Sequence, residues 1–376
     1  MSVFYVMIVY GAVDSYLFFA IWEVSETMQK EKLIDKFIEK HQLEKEEYIE
    51  LFSDTTEEMQ KRLKEEAVRV RKLHYGNKVY VRGLIEFTNY CKNNCYYCGI
   101  RGGNKQIERY RLSEEEIMAC CKNGHALGIR TFVLQGGEDG YFTDEKMERI
   151  VKKIKENYSD CAITLSIGER SLESYKRLKA AGADRYLLRH ETAEKKHYGQ
   201  LHPEEMKLEH RMECLFQLKE LGYQVGAGFM VGSPGQTPET LAEDFLFLKK
   251  LSPQMVGIGP FVPHHETPFA EKEKGSVDQT LLLLSMIRIL LPKVLLPATT
   301  ALGTLDPKGR EKGLQAGANV VMPNLSPVMV RKKYELYDAK ICTGEEAVEC
   351  IPCLERRIQY AGYEMARERG DAKDFF

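Results

Sequence analysis

The sequence predicts an α/β protein built on a (β/α)8, TIM-type barrel with a helical extension in front of it. Three observations lead there. Eight short β-rich runs follow one another, at 79–87, 131–135, 162–166, 185–188, 224–230, 255–259, 295–299 and 319–322. Amphipathic stretches separate them, at about 114–127, 144–157, 171–181, 204–221, 237–250, 278–291 and 309–316. Several runs end in glycine or polar residues: Gln135-Gly136-Gly137-Glu138, Ser166-Ile167-Gly168-Glu169, Arg189-His190-Glu191 and Gly232-Ser233-Pro234-Gly235. Strands alternating with helices make a parallel sheet under helices. Ligands of such sheets bind at the carboxyl ends of the strands, so chemistry-capable residues gather at one face. A doubly wound open sheet is the alternative, and eight strands alone do not exclude it.

The chain divides into an apolar extension over 1–27, helices over 28–75, the barrel over 76–325 and a C-terminal segment over 326–376. The 376 residues are 43% hydrophobic and 29% charged, which suits a soluble protein with a substantial core. The net charge is -2 with both signs intermixed, so no basic face for nucleic acid is expected. Residues 1–22 are nearly all apolar but lack the basic start and small-residue cleavage site of a signal peptide. Asp14 would put a charge in mid-membrane. A membrane-associating segment, a buried extension and a start site placed ahead of Met28 remain open; no spanning role or membrane contact is expected. The tail beyond Ala361 is charged and expected to be peripheral.

Of ten cysteines, Cys91, Cys95 and Cys98 fall in a C-x3-C-x2-C spacing just after the first strand. Tight clusters in a long chain read as metal ligands in a reducing compartment, hence a cytoplasmic protein. Thiolates bind iron–sulfur clusters, and four saturate a [4Fe–4S] cubane. Three leave one iron open, able to chelate a substrate or cofactor. A structural zinc or electron-transfer site is the alternative, but zinc wants four ligands and His125 is 27 residues beyond Cys98. Cys342, Cys350 and Cys353 form a second group, C-x7-C-x2-C. Cys120, Cys121, Cys161 and Cys214 lie in apolar contexts and are expected in the core.

C-x3-C-x2-C with an aromatic residue, Tyr97, before the last cysteine resembles the signature of the radical S-adenosylmethionine (SAM) superfamily. From Val81 to Cys353 the chain is similar to the HydE-type maturases of [FeFe] hydrogenase, and further to methylornithine synthase and biotin synthase. The stretches that carry this are IEFTNYCKNNCYYCGIR, RYLLRHETA, GYQVGAGFMVGSPGQT, MVGIGPFVPH, PATTALGT and GANVVMPN. The resemblance implies a cluster that cleaves SAM to a 5′-deoxyadenosyl radical. It implies that Glu138 receives the SAM amino group, Glu191 the ribose hydroxyls and Arg211 the carboxylate. Those residue types suit those groups. Arg185 and Arg189 would face an anionic iron complex or a carboxylate, unless they form ion pairs with Asp184 or Glu191. Gln135, Thr164 and Arg82 suit the same cavity, and Tyr334 and Tyr337 its top. The second cysteine group would hold an accessory iron–sulfur cluster.

The activity so implied is assembly of the diiron subcluster of [FeFe] hydrogenase, the H-cluster, on a cysteine-ligated iron carbonyl cyanide precursor. The implied partners are a reductant such as flavodoxin or ferredoxin, a radical SAM maturase that supplies the iron complex, and a scaffold GTPase. A lysine mutase like methylornithine synthase is one alternative. A non-catalytic iron–sulfur electron carrier or scaffold is another. Biotin synthase fits less well, because the run 224–230 has no cysteine for a second intrabarrel cluster.

Overall fold

The computed structural model describes residues 29–344 and 347–373, so the apolar segment 1–27 lies outside the described residues, as does the Cys350 side chain. The helical pattern of 28–73 resolves into three helices, over 29–40, Lys45–Ser53 and Glu57–Tyr75. The third starts at Thr56, whose hydroxyl accepts the Met59 N–H at 3.3 Å. Met59, Leu63, Ala67 and Val70 recur at helical spacing and are buried. This helix packs on helix Val277–Leu290, and Lys45–Ser53 packs on Pro238–Leu251. The extension therefore coats two later helices.

Eleven strands are described: β1 (Lys78–Val81), β2 (Gly83–Thr88), β3 (Thr131–Gly136), β4 (Ala162–Ser166), β5 (Arg185–Leu187), β6 (Gln224–Ala227), β7 (Met230–Val231), β8 (Met255–Val256), β9 (Gly259–Pro260), β10 (Val320–Val321) and β11 (Glu364–Ala366). The central sheet is parallel throughout, in the order β2-β3-β4-β5-β6-β8. Helices surround it, giving an α/β fold with a partial, TIM-barrel-like parallel core. Beyond β8 the pairing runs on as single parallel bridges, Met255 to Leu295, Pro297 to Val320, and Asn324 back to Leu84. Pro297 and Pro323 have no N–H to give, which keeps these contacts from extending into ladders.

Several expected strands are shorter than their apolar runs. The run 79–87 divides at Arg82, so β1 pairs with β10 and β11 while β2 enters the central sheet. The run 224–230 breaks at Gly228, whose φ is 150° and where a Cβ would lie 2.0 Å from the Gly257 carbonyl oxygen. The run 295–299 contributes only the bridges just named. Helices Lys195–Leu201, Thr300–Leu305, Val328–Arg331 and Ala347–Tyr360 were not legible in the periodicity.

The tail corrects its expectation. Rather than peripheral, it forms β11, which pairs with β1, and continues across the amino-terminal end of the strands. There Asp371 meets Arg185 at 2.7 Å, and the Gln224 side chain donates to the same carboxylate. Arg185 is fully buried and also donates to Thr131 Oγ1 and the Arg369 carbonyl. A buried guanidinium needs such acceptors, and the charged tail supplies them. Burial works against the Asp371 charge, but Arg369, Arg185 and Gln224 hold its carboxyl well below the usual carboxylate range. Asp371→Ala is expected to lower stability by about 3 kcal/mol, because it strands a buried charge. Its folded pKa is depressed, so the stabilisation is complete above the unfolded value of about 3.9 and is lost as pH falls further. Urea denaturation of both proteins at pH 7 and at pH 3 checks this: the difference between them shrinks at the lower pH.

Candidate active site

The cysteine trio lies on the loop after β2, and that loop is held by hydrogen bonds to its backbone. Arg109 donates to the carbonyls of Asn89, Ile100 (2.9 Å), Arg101 (2.7 Å) and Asn104 (3.1 Å). Asn89 donates to the Lys333 carbonyl at 2.6 Å and accepts the Tyr110 N–H at 2.8 Å. The Gly99 N–H reaches the Leu336 carbonyl and the Tyr96 N–H the Leu201 carbonyl, at 2.9 and 3.0 Å. A loop of polar residues without secondary structure would otherwise be mobile; a single guanidinium satisfies four of its carbonyls. Neither spacing nor residue type sets Arg109 and Asn89 apart in the sequence. Arg109→Ala is expected to weaken iron retention by about 10- to 100-fold. Iron per chain under graded chelator challenge measures it.

The GGE turn after β3 sits against this loop. A Cβ at Gly137 would fall 2.2 Å from the Tyr90 carbonyl oxygen and 2.7 Å from Cys91 Cβ. Glycine is required there by close approach. Glu138 follows, nearly buried, its Oε1 accepting the Glu169 N–H at 2.9 Å and its Oε2 3.2 Å from Lys92 Nζ. Gly168 makes room for it; a Cβ there would lie 2.0 Å from Glu138 Cγ. Glu191, after β5, pairs with Arg189 at 3.0 Å. Arg211, on helix Leu208–Glu220, donates to Glu169 and to the Arg189 carbonyl (3.0 Å). Burial opposes the Arg211 charge, but Tyr198, Glu169 and Glu138 more than offset that and raise its pKa.

These side chains share one cavity of about 440 Å³. Cys91, Cys95, Cys98, Tyr97, Gln135, Glu138, Arg189, Glu191 and Arg211 all line it. Tyr97 donates its hydroxyl toward His202 Nε2 at 3.2 Å. Tyr334 and Tyr337 line it from the C-terminal segment, with the Gln135 amide 3.4 Å from the Tyr334 hydroxyl. The buried pair Glu86–Lys340, at 2.6 Å, was not anticipated and also lies on its wall.

Thr164, Arg82 and Arg185 do not reach this cavity wall. Thr164 precedes the lining residue Ser166 by two positions and Arg185 precedes Leu187 by two, so both stand one layer deeper. Arg82 is buried and donates to Met255 Sδ at 2.8 Å. Arg185 is committed to Asp371, neither of the partners weighed from the sequence. Cys342 and Cys353 do line the cavity, at its C-terminal side, where Arg310 lies 3.4 Å from Cys342 Sγ. Cys120, Cys121, Cys161 and Cys214 are buried as expected.

The trio fits an iron–sulfur cluster better than a single ion. All three are free thiols. Their sulfurs are not all within 4.8 Å of one another, among the described residues. Four-coordinate zinc would hold them about 3.8 Å apart. Burial pushes the Cys95 thiol up to about 12 and raises Cys91 and Cys98 as well, so the thiolate forms need the positive charge of a metal. The described groups that do meet the single-ion spacing, His125–Asp160–Cys161 and His264–His265–Asp338, include none of the trio.

Residues 85–248 match the family model of the radical SAM superfamily. The chain belongs to the radical SAM superfamily, and it is an enzyme of that class. Membership implies a [4Fe–4S] and SAM cofactor system. Within the superfamily it falls with the HydE-type maturases. It is 47% identical over 310 residues to the [FeFe] hydrogenase maturase subunit HydE of Thermotoga maritima, covering 82% of this chain and 88% of that one. It is 30% identical to 3-methylornithine synthase of Methanosarcina acetivorans over 334 residues, 88% of this chain and 93% of the relative. The crystal structure of methylornithine synthase superposes with a TM-score of 0.77 at 29% identity, covering 89% of this chain and 97% of the other. The maturase HydG from Carboxydothermus hydrogenoformans superposes equally, at 0.77 with 21% identity over 95% of this chain and 85% of that one, and so shares the fold. The carrier or scaffold alternative is thereby set aside. No helix among the described residues is long and apolar enough to cross a membrane.

Proposed function

We propose that this enzyme acts in assembly of the diiron subcluster of [FeFe] hydrogenase, on a cysteine-ligated iron precursor carrying carbonyl and cyanide. The observation that carries this reading is the 47% identity to a HydE maturase across 88% of its length. One cavity that joins the trio to a charged wall supports it. When bound, the cluster and SAM together supply reductive cleavage of SAM to a 5′-deoxyadenosyl radical. Glu138 receives the SAM amino group, Glu191 the ribose hydroxyls and Arg211 the carboxylate, each by charge-assisted hydrogen bonds. Tyr97 closes the side of the site next to the trio. Arg189 faces the anionic precursor, and Gln135, Tyr334 and Tyr337 enclose it. Arg185 and Thr164 support that wall from one layer below.

The single bridges beyond β8 are read as closing an eight-membered barrel over 76–325, with 28–75 packed outside it and 326–376 across its mouth. Cys342, Cys350 and Cys353 form an accessory cluster site. Partners on this reading are a flavodoxin or ferredoxin as reductant, a radical SAM maturase supplying the precursor and a scaffold GTPase receiving the product, all in the cytoplasm. The test is a hydrogenase maturation mixture lacking only this component. Adding the reconstituted protein should restore hydrogenase activity; no restoration overturns the reading. The likeness to methylornithine synthase favours one other reading, a lysine mutase. Conversion of lysine to methylornithine in the presence of SAM would establish it instead.

A further inference from the structure

Glu191 stands in a backbone conformation that its residue type resists. Its φ is 64°, and a left-handed non-glycine residue costs about 1–2 kcal/mol. A glycine would relieve this, but would bring no carboxylate. Strain of this kind persists only where the surroundings over-determine it.

The surroundings include two polar side chains with no solvent exposure, His190 and Asp244. His190 Nδ1 is 3.3 Å from the Gly228 N–H, and its Nε2 is 3.2 Å from Asp244 Oδ1. A backbone N–H only donates, so Nδ1 carries the lone pair and Nε2 carries the proton. Burial drives the imidazole pKa down to about 3, in keeping with this neutral tautomer. Asp244 Oδ1 also accepts the Ala193 N–H at 2.6 Å. From helix Pro238–Leu251, then, one oxygen ties down Ala193 directly and Gly228 through the His190 ring. Those two residues flank the strained position. The Gly228 carbonyl accepts the Glu191 N–H at 3.1 Å, and the Glu191 carbonyl accepts the Met230 N–H at 3.3 Å.

Two aromatic rings pack beside the pair. Phe247 and Phe229 lie 4.8 and 6.1 Å from the His190 ring, centroid to centroid. Two large hydrophobic side chains would fill such a space without the desolvation that a polar pair costs. What they would lack is direction. We propose that His190 and Asp244 form a buried strut that holds Glu191 in its left-handed conformation, so that its carboxylate faces the SAM ribose. Both are positioning residues for SAM binding and neither touches it. The inference rests on the reading that Glu191 contacts SAM.

The test is equilibrium binding of SAM to reconstituted enzyme carrying Asp244→Ala, Asp244→Asn, Glu191→Gln, or Asp244→Ala with Glu191→Gln. Asp244→Ala should weaken SAM binding by at least about tenfold with iron per chain unchanged. Asp244→Asn keeps the Oδ1 acceptor and should bind within about threefold of wild type. The double variant should bind no more weakly than Glu191→Gln alone, because the strut acts through that side chain. If Asp244→Ala does not fold, His190→Asn, which keeps an acceptor toward Gly228 and loses the donor toward Asp244, carries the same expectation. Glu191→Gln weakened while the strut variants bind normally would overturn the strut alone. So would a double variant weakened by the product of the single effects. Glu191→Gln binding SAM like wild type would overturn the Glu191 reading, and the strut with it.

Discussion

Cys95→Ala is expected to reduce SAM-dependent release of 5′-deoxyadenosine by at least about 10³-fold, the scale of losing one member of a catalytic unit. The reason lies in the ligand count. Three thiols of one loop hold the site on this reading, and the other cysteines of the described cavity wall, Cys342 and Cys353, belong to the C-terminal segment. Cys95 lies between the other two in the loop that Arg109 and Asn89 fix, so its loss leaves Cys91 and Cys98 too few to retain a cubane. The assay is product formation by the anaerobically reconstituted protein under strong reductant. Iron content should fall with activity. Turnover retained at the wild-type rate would remove the trio from the catalytic site.

Arg211→Met is expected to weaken SAM binding by on the order of 10²-fold, equivalent to about 3 kcal/mol, since truncating one partner of a buried charge pair costs about 2–5 kcal/mol. Methionine keeps much of the volume of the side chain, so packing on helix Leu208–Glu220 is preserved and the loss is electrostatic. Arg211 donates to Glu169 and to the Arg189 carbonyl, and its elevated pKa keeps it charged throughout the working range. On the proposed reading it meets the SAM carboxylate as a fixed, charged donor. The variant should keep its iron and lose affinity for SAM. A binding curve matching wild type would place the SAM carboxylate elsewhere.

Much of this site was legible because its signals are local. The trio is a spacing pattern. Glu138, Glu191 and Arg189 follow strands whose apolar runs are readable, and parallel topology puts such ends on one face. What escaped the sequence depends on partners far away in the chain. Asp371 looked like part of a charged tail until Arg185, 186 residues earlier, gave it a reason to be inside. Lys340 meets Glu86 across 254 residues, and Asp244 meets His190 across 54. No periodicity encodes such pairs. The short strands escaped for another reason: Gly228 and Pro297 interrupt hydrogen bonding inside runs whose hydrophobicity alone reads as continuous, and Pro323 stands just past a third.

The central claim is that three thiols leave one iron open and that SAM binds to it directly. Electron paramagnetic resonance of the reduced, reconstituted protein, recorded with and without SAM, tests this most directly. The expected result is a [4Fe–4S] signal whose g values and line shape change when SAM is added. In Arg211→Met that change should require much more SAM. A cubane signal indifferent to saturating SAM would rule out direct binding of SAM to the open iron.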